Sequence, residues 1–485
     1  MSNPLAVIRA FALVLLVFAL TMLVPMIVAW AGRDAAVTAF QSGFAATFLS
    51  AALLWLLTRR HVDELRVRDS YLLVSLVWVG MPAFATIPLM LYLPQMSFTD
   101  AYFETVSGLT TTGATVIEGL DTLPFSINLW RTGLVFLGGM GLIVLVVAIL
   151  PLLGVGGRQL FSAESPGPLK DTKLTPRMAQ TAKGLWLVYL ALAVLCTLGY
   201  VWAGMDWGDA VMHMFSTLGL GGFSSHDASY AHFNSPAVEA VAIVFMTLAG
   251  MNFATHYMAI RRRDLAFYWI DPEIRWYVGV LYASVLGIAA YLWWTGTYPD
   301  FATALRFAAF NTVSIATTTG FANTDYAQWP FLAPMWMLFL CSFVTCAGST
   351  GGGIKMMRAI IVFRQVMREV VRIVHPSAVR TVKLAEAPLP NKIVFAVLAF
   401  SFAYMAIIVS LTLLMVFSGL DVVTGFSAVV ASFNNTGPGL GEVGPSTTFK
   451  SLSDFQTWVC TAAMLLGRLE IFTLLVVLSP AFWRK

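Results

Sequence analysis

Leu109-Thr110-Thr111-Thr112-Gly113-Ala114-Thr115 decides the fold. It follows a short helix-length segment at 97–107 and precedes a strongly apolar run at 129–153. A near copy recurs as Ala316-Thr317-Thr318-Thr319-Gly320-Phe321. Looser copies stand at Thr217-Leu218-Gly219-Leu220-Gly221-Gly222-Phe223 and at Phe433-Asn434-Asn435-Thr436-Gly437-Pro438. The glycines Gly113, Gly222, Gly320 and Gly437 are 109, 98 and 117 residues apart. Each copy lies between two hydrophobic segments of membrane length. One such unit per period is the mark of repeat architecture. A single Thr-Thr-Thr-Gly says little, because Thr and Gly are common where membrane helices meet. Two copies in register, with two degenerate ones at the expected places, say much more.

The 485 residues are 58% hydrophobic and 11% charged, where a soluble protein carries about 25% charge. Mean hydropathy is +0.78. This composition predicts an all-α polytopic membrane protein with no room for a soluble domain of ordinary size. Candidate spans are 7–30, 37–57, 71–92, 129–153, 185–202, 237–258, 276–294, 331–347, 393–417 and 455–478. The first is too long for a signal-peptide core and is read as a retained helix. Cys196, Cys341, Cys346 and Cys460 lie in apolar segments without zinc spacing and read as packing residues.

Basic residues cluster after every second span: Arg59 to Arg68, Arg158 to Lys183, Arg261 to Arg263, Lys355 to Arg372, and Arg484 with Lys485. The positive-inside rule then makes these clusters and both termini cytoplasmic. All four glycine loops fall on the outer side, where acidic residues would concentrate cations at a pore mouth. Asp100, Asp206, Asp300 and Asp421 also suit helix starts, and the two readings are compatible.

Loops entering from one side favour a pseudo-fourfold ring over inverted repeats. Non-helical backbone at membrane depth survives only where it is buried or lines a wet cavity. Four loops facing one axis meet that condition. Carbonyls of Thr111-Thr112, Leu220-Gly221, Thr318-Thr319 and Asn435-Thr436 would then replace an ion's water shell. Gly113, Gly222, Gly320 and Gly437 would supply conformations barred to residues with a Cβ. None of these twelve residues is ionic, so discrimination would rest on carbonyl geometry.

These motifs resemble the Trk/Ktr/HKT superfamily of potassium transporters, most closely its bacterial TrkH branch. The carriers are Thr-Thr-Thr-Gly-Ala-Thr (110–115), Gly-Leu-Gly-Gly-Phe (219–223), Thr-Thr-Thr-Gly-Phe (317–321) and Asn-Asn-Thr-Gly-Pro (434–438). The resemblance implies a K⁺ path through one subunit of four M1–P-loop–M2 repeats, with two extra N-terminal helices. It also implies a homodimer in a bacterial inner membrane. Within the superfamily, Ser at the first filter glycine goes with Na⁺ preference; Gly113 here favours K⁺, with Rb⁺ also passing. The departures are Leu218-Gly219-Leu220 and Asn434-Asn435, which make the symmetry approximate. The expected divisions are 1–69 for the N-terminal helices, then repeats at 70–154, 155–264, 265–380 and 381–485.

Gly348-Ser349-Thr350-Gly351-Gly352-Gly353 interrupts the eighth span. It fails as a phosphate loop, because Ile354 separates Gly353 from Lys355 and no Ser or Thr follows the Lys. It reads as a flexible turn or, by the resemblance, as an intramembrane gate. Arg468 and Glu470 lie within the last span, two residues apart and so on different helix faces. Such groups are costly at bilayer depth. The readings are an ion pair to another helix or, for Arg468, a positive charge below the filter. Arg131 reads as snorkelling to the outer surface, and His213 and His256 as packed or interfacial. No nucleophile–base pair or metal cluster calls for an enzyme. The basic face at 358–380 suits anionic lipid. It also suits a soluble regulator, which the resemblance identifies as an RCK-type, TrkA-like ring binding NAD(H) and ATP or ADP. No nucleotide site is expected on this chain, and no nucleic-acid partner. The expected activity is K⁺ uptake by passive permeation; the alternative is symport of K⁺ with H⁺ or Na⁺.

Overall fold

The computed structural model describes residues 4–62, 65–141, 178–378, 380–384 and 387–484. The chain is mostly helical, as its composition dictates. Helices α1 (Pro4–Thr21) and α2 (Leu23–Gly32) together make one apolar length, and α3 (Val37–Thr58) returns beside α1. Four units follow, each with a short helix and a glycine loop. The first holds α4 (Val67–Tyr92), α5 (Phe98–Leu109) and α6 (Phe125–Phe136), which runs into a π-helical turn at Leu137–Gly141. The second holds α7 (Met178–Trp202), α8 (Trp207–Gly219), α9 (Pro236–Ala249) and α10 (Phe253–Arg262). After α11 (Ala266–Ile270) comes the third, with α12 (Pro272–Trp294), α13 (Phe301–Ala316), α14 (Leu332–Cys341) and α15 (Met356–Val374). A two-residue strand pair, β1 (Lys383–Leu384) with β2 (Ala387–Pro388), leads to the fourth. That unit holds α16 (Asn391–Phe417), α17 (Val422–Phe433), α18 (Asp454–Arg468) and α19 (Phe472–Leu478), and α20 (Pro480–Trp483) follows.

Among the described residues, six helical lengths are long and apolar enough to cross a membrane, and two bent pairs bring the number to eight. The bent pairs correct the expectation of straight spans at 237–258 and 455–478. Helices α9 and α10 meet at 92°, and α18 and α19 at 112°. At the first bend, Asn252 starts a fresh helix by accepting the Ala254 N–H at 2.9 Å. At the second, Glu470 and Ile471 both take left-handed φ values, 50° and 58°. The span expected at 331–347 stops as a helix at Cys341, because the chain turns there into the glycine-rich loop. The span expected at 129–153 is seen to Gly141; its remainder, with Arg158, Lys170, Lys173 and Arg177, lies outside the described residues. Hydropathy does not register these breaks, since a bent apolar helix stays apolar.

The short helices start as their sequences suggest. Asp206 caps α8 by accepting the Asp209 N–H at 3.0 Å, and Asp300 caps α13 by accepting the Thr303 N–H at 2.8 Å. Asp421 caps α17 through the Val423 and Thr424 N–H groups at 2.9 and 3.0 Å. In α5, Ser97 is the cap and Asp100 stands in the first turn. The Thr303 N–H holds the Asp300 carboxyl below its usual range.

Arg131 does not reach the surface. It is fully buried, with Glu104 2.8 Å away and both side chains 1% exposed. Its guanidinium also donates to Asn128 Oδ1, Ser224 O and Thr115 Oγ1, and lies 4.5 Å from the Phe223 ring centroid. The Glu104 carboxylate in turn accepts the Val116 N–H and the Thr115 hydroxyl at 3.0 Å each. The pair therefore braces the outer arm of the first glycine loop against the second. Sequence spacing put Arg131 near a helix start, and no local pattern announces a partner 27 residues away. Breaking one side of a buried pair costs about 3–5 kcal/mol. Arg131→Met, which strands Glu104, is expected to lower the Tm of the purified protein sharply. Arg131→Met/Glu104→Gln should recover part of the loss; equal Tm values for the two would show that the stranded charge is not the cause.

Candidate functional site

The four short helices end alike. The Thr112 N–H returns to Ser107 O at 2.8 Å, Gly221 to Ser216 at 3.0 Å, Thr319 to Ser314 at 2.8 Å and Thr436 to Ala431 at 2.8 Å. The residue before each donor is left-handed: Thr111 at φ 58°, Leu220 at 55°, Thr318 at 62° and Asn435 at 55°. This is the Schellman ending, which glycine usually supplies. A side chain there costs roughly 1–2 kcal/mol per residue, so packing must hold all four. Paired hydroxyls help in two loops: Thr110 with Thr112 and Thr317 with Thr319, each at 2.8 Å. The Asn435 amide donates across to Thr112 Oγ1 at 3.0 Å and to Met464 O at 3.1 Å.

The loops close on one another in cyclic order. A Cβ on Gly113 would lie 2.2 Å from Gly222 N, and one on Gly222 2.6 Å from Gly320 C. One on Gly320 would lie 1.9 Å from Thr436 O, and one on Gly437 2.8 Å from Thr112 O. No side chain fits at any of these contacts. Gly113, Gly320 and Gly437 are also at φ 82°, 90° and 99°. Gly222 has no such φ, and the Gly221 carbonyl accepts the Phe223 N–H at 2.8 Å, so the second loop differs in conformation from the others. Thr111, Thr112, Leu220, Thr318, Thr319, Asn435 and Thr436 are all 0% exposed. Among the described residues, no donor reaches the carbonyls of these seven or of Gly113, Gly222, Gly320 and Gly437.

Above the ring, all four glycines line one cavity of about 720 Å³ whose wall carries Glu118, Asp227 and Glu442. Below it sits the 342–355 loop. The Thr350 hydroxyl donates to Leu218 O at 3.0 Å, and the Gly352 N–H to Thr318 Oγ1 at 2.9 Å. A Cβ on Gly352 would lie 1.9 Å from Asn434 O, and one on Gly351 3.0 Å from Thr317 O. Gly348, Ser349 and Gly353 shape the loop away from the ring: Gly348 against Asn252, the Ser349 hydroxyl on Cys346 O, and Gly353 close to Ser342 O. Arg468 completes the floor. It donates to Thr111 Oγ1 at 3.2 Å, to Thr350 O at 2.9 Å and to Gly139 O at 3.0 Å. Glu470 pairs instead with Arg358 on α15. Arg468 and Glu470 face different partners, though not as two faces of one helix, because the helix ends at Arg468 and the chain bends there.

Sequence reasoning missed Glu273 and Lys355. The Glu273 carboxylate accepts the Ala347 N–H at 2.7 Å and the Met357 N–H at 3.0 Å, pinning both ends of the loop. Lys355 is buried and its ammonium donates to Gly351 O. Glu273 follows Asp271-Pro272 at a helix start, where an acid needs no further explanation; a long apolar helix beside it was the available signal.

The sequence matches the TrkH family, described as cation transport protein, over residues 36–485. It is 43% identical over 481 residues to the Trk system potassium uptake protein TrkH of Escherichia coli K12, covering 99% of each chain. It is 45% identical over 481 residues to the TrkH of Halomonas elongata, again covering 99% of each. The crystal structure of the potassium transporter TrkH from Vibrio parahaemolyticus superposes with a TM-score of 0.90 at 42% identity, covering 99% of this chain and 100% of that one. The chain therefore belongs to the TrkH family of cation transport proteins, and not to an enzyme family.

Proposed function

We propose that this chain takes up K⁺ across a bacterial inner membrane, and that the four-loop ring is its selectivity filter. The observation that carries the reading is the set of buried carbonyls without donors. Buried carbonyls are nearly always paired, and a cluster around one axis suits a cation that has shed its water. Thr111 and Gly113 take positive φ and Thr112 between them does not, an alternation that lets successive carbonyls point one way. The first, third and fourth loops share this pattern. The second contributes through Leu220 and Gly222, since the Gly221 carbonyl is engaged within the loop. Rb⁺ is expected to follow K⁺.

The loop at 348–353 and Arg468 act as the gate in this reading. They occupy the inner end of the ring and must move for an ion to pass. The relatives are named as members of a Trk system, which supports a partner that moves them. By family resemblance that partner is a cytoplasmic, nucleotide-binding, RCK-type subunit acting on a homodimer whose termini are cytoplasmic. Coupling to H⁺ at the ring is disfavoured, because the ring residues carry no titratable side chain; symport with Na⁺ is the alternative that the flux assay separates from passive flow.

Two variants separate filter from gate in liposome flux assays with K⁺, Rb⁺, Na⁺ and Li⁺. Gly113→Ser forces the first loop off Gly222 and is expected to lower K⁺ over Na⁺ preference by about tenfold, equivalent to about 1.4 kcal/mol. Unchanged preference in a folded variant would remove the ring from the selectivity account. Gly352→Ala collides with Asn434 O and should displace the loop, raising flux severalfold while leaving the ion preference intact. If flux instead falls, or K⁺ moves only with an imposed H⁺ or Na⁺ gradient, the gated-pore reading gives way to symport.

A further inference from the structure

Outside the ring, one cluster of side chains has no role in the account above. Asp121, on the loop between α5 and α6, meets His226 and His232, on the loop between α8 and α9. One ligand atom from each lies within 4.8 Å of the others. The His226 and His232 rings stack with centroids 3.5 Å apart and planes 5° from parallel. His226 Nδ1 faces Asp121 Oδ1, and its Nε2 lies 3.1 Å from Asp209 Oδ2. Asp209 is itself fixed by the Ser225 hydroxyl at 2.7 Å, and Asp121 accepts the Asp227 N–H at 3.2 Å.

A carboxylate on one ring nitrogen is the usual support of a metal-binding histidine, because it sets the tautomer that leaves the other nitrogen's lone pair free. Asp209 gives His226 that support. Nδ1 is hydrogen-bonded to the second carboxylate, Asp121, with another imidazole beside it, and a metal ion would take the place of the proton shared there. Two imidazoles and a carboxylate, with water in the fourth place, make a donor set for zinc, cobalt or nickel. K⁺, Mg²⁺ and Ca²⁺ prefer oxygen donors. His226 also lines the cavity above the ring, together with Gly113, Gly222, Gly320 and Gly437. A doubly charged ion held there opposes the approach of other cations.

We infer that Asp121, His226 and His232 form an outer-face site for a transition-metal ion of the Zn²⁺ class, and that its occupation slows cation passage. The first half rests on the cluster alone; the second rests on the permeation reading above. The test uses tag-free, full-length protein with Co²⁺ as a spectroscopic probe. The expected result is one Co²⁺ per chain, with the visible bands of a nitrogen- and oxygen-bound ion and no sulfur-to-cobalt charge transfer, displaced by Zn²⁺. His232→Ala and Asp121→Asn, both at exposed positions, should each weaken binding at least about tenfold, the low end of the loss when a partner in a metal site is removed. In liposomes, Zn²⁺ outside should slow Rb⁺ flux through the parent and not through His232→Ala, whose flux without metal stays at the parent level. Cobalt that binds parent and His232→Ala equally overturns the site. Zinc that binds through these residues yet leaves flux unchanged overturns its effect on passage. The binding arm needs no ion flux, so its result stands apart from the fate of the permeation reading.

Discussion

A helix that stops inside an apolar layer leaves its last carbonyls without partners, and nothing in hydrocarbon supplies them. Four helices of this chain stop that way. Each answers with the same bond from its loop back to its own last turn, and each accepts a left-handed side chain to make it. The bond uses up the loop's N–H groups and turns its carbonyls out of the helix. Those carbonyls then need a common neighbour, which drives the four loops into mutual contact. The close approaches at Gly113, Gly222, Gly320 and Gly437 follow from that contact. The buried pair Arg131 with Glu104 braces the arm of the first loop against the second, and Arg306 with Glu239 at 2.7 Å ties α13 to α9.

Much of this was legible in the sequence, because it depends on local chemistry repeated four times. Thr-Thr-Thr-Gly twice, with Gly-Leu-Gly-Gly and Asn-Asn-Thr-Gly in register, marks loops that need glycine at fixed places. Asp206, Asp300 and Asp421 mark helix starts because a carboxylate satisfies free N–H groups. Other features depend on partners far along the chain and leave no local trace. Arg131 near the start of an apolar run looks like a snorkelling residue until Glu104 is placed beside it. The bends after Gly250 and Arg468 are invisible to hydropathy. The second lies where its helix meets the ring: a Cβ on Gly467 would lie 1.8 Å from Phe433 O, so the helix passes against the loop's own backbone. Gly221 illustrates a third limit. Its sequence position matches Thr112, Thr319 and Thr436, yet a tight turn with Phe223 takes its carbonyl, and spacing cannot show that.

A second group of charges lies on the loop side of the ring. Arg358 pairs with Glu470, while Arg468, Lys355 and Glu273 each bond the backbone of the glycine-rich loop or its ends. Removing Arg358 or Glu470 leaves its partner unpaired, which costs more than the single bond suggests. These contacts give α15, and anything that pulls on it, mechanical access to the loop.

Thr318 belongs to two structures at once. Its backbone stands in the ring, and its hydroxyl receives the N–H of Gly352 from the loop beneath. Thr111 is shared in the same way with Arg468. If the ring holds an ion, its occupancy and the loop's position are then linked in both directions, by one coupling factor. An ion that binds more tightly when the loop is withdrawn must itself favour withdrawal. Under that condition the concentration of the bound ion would itself be a control input.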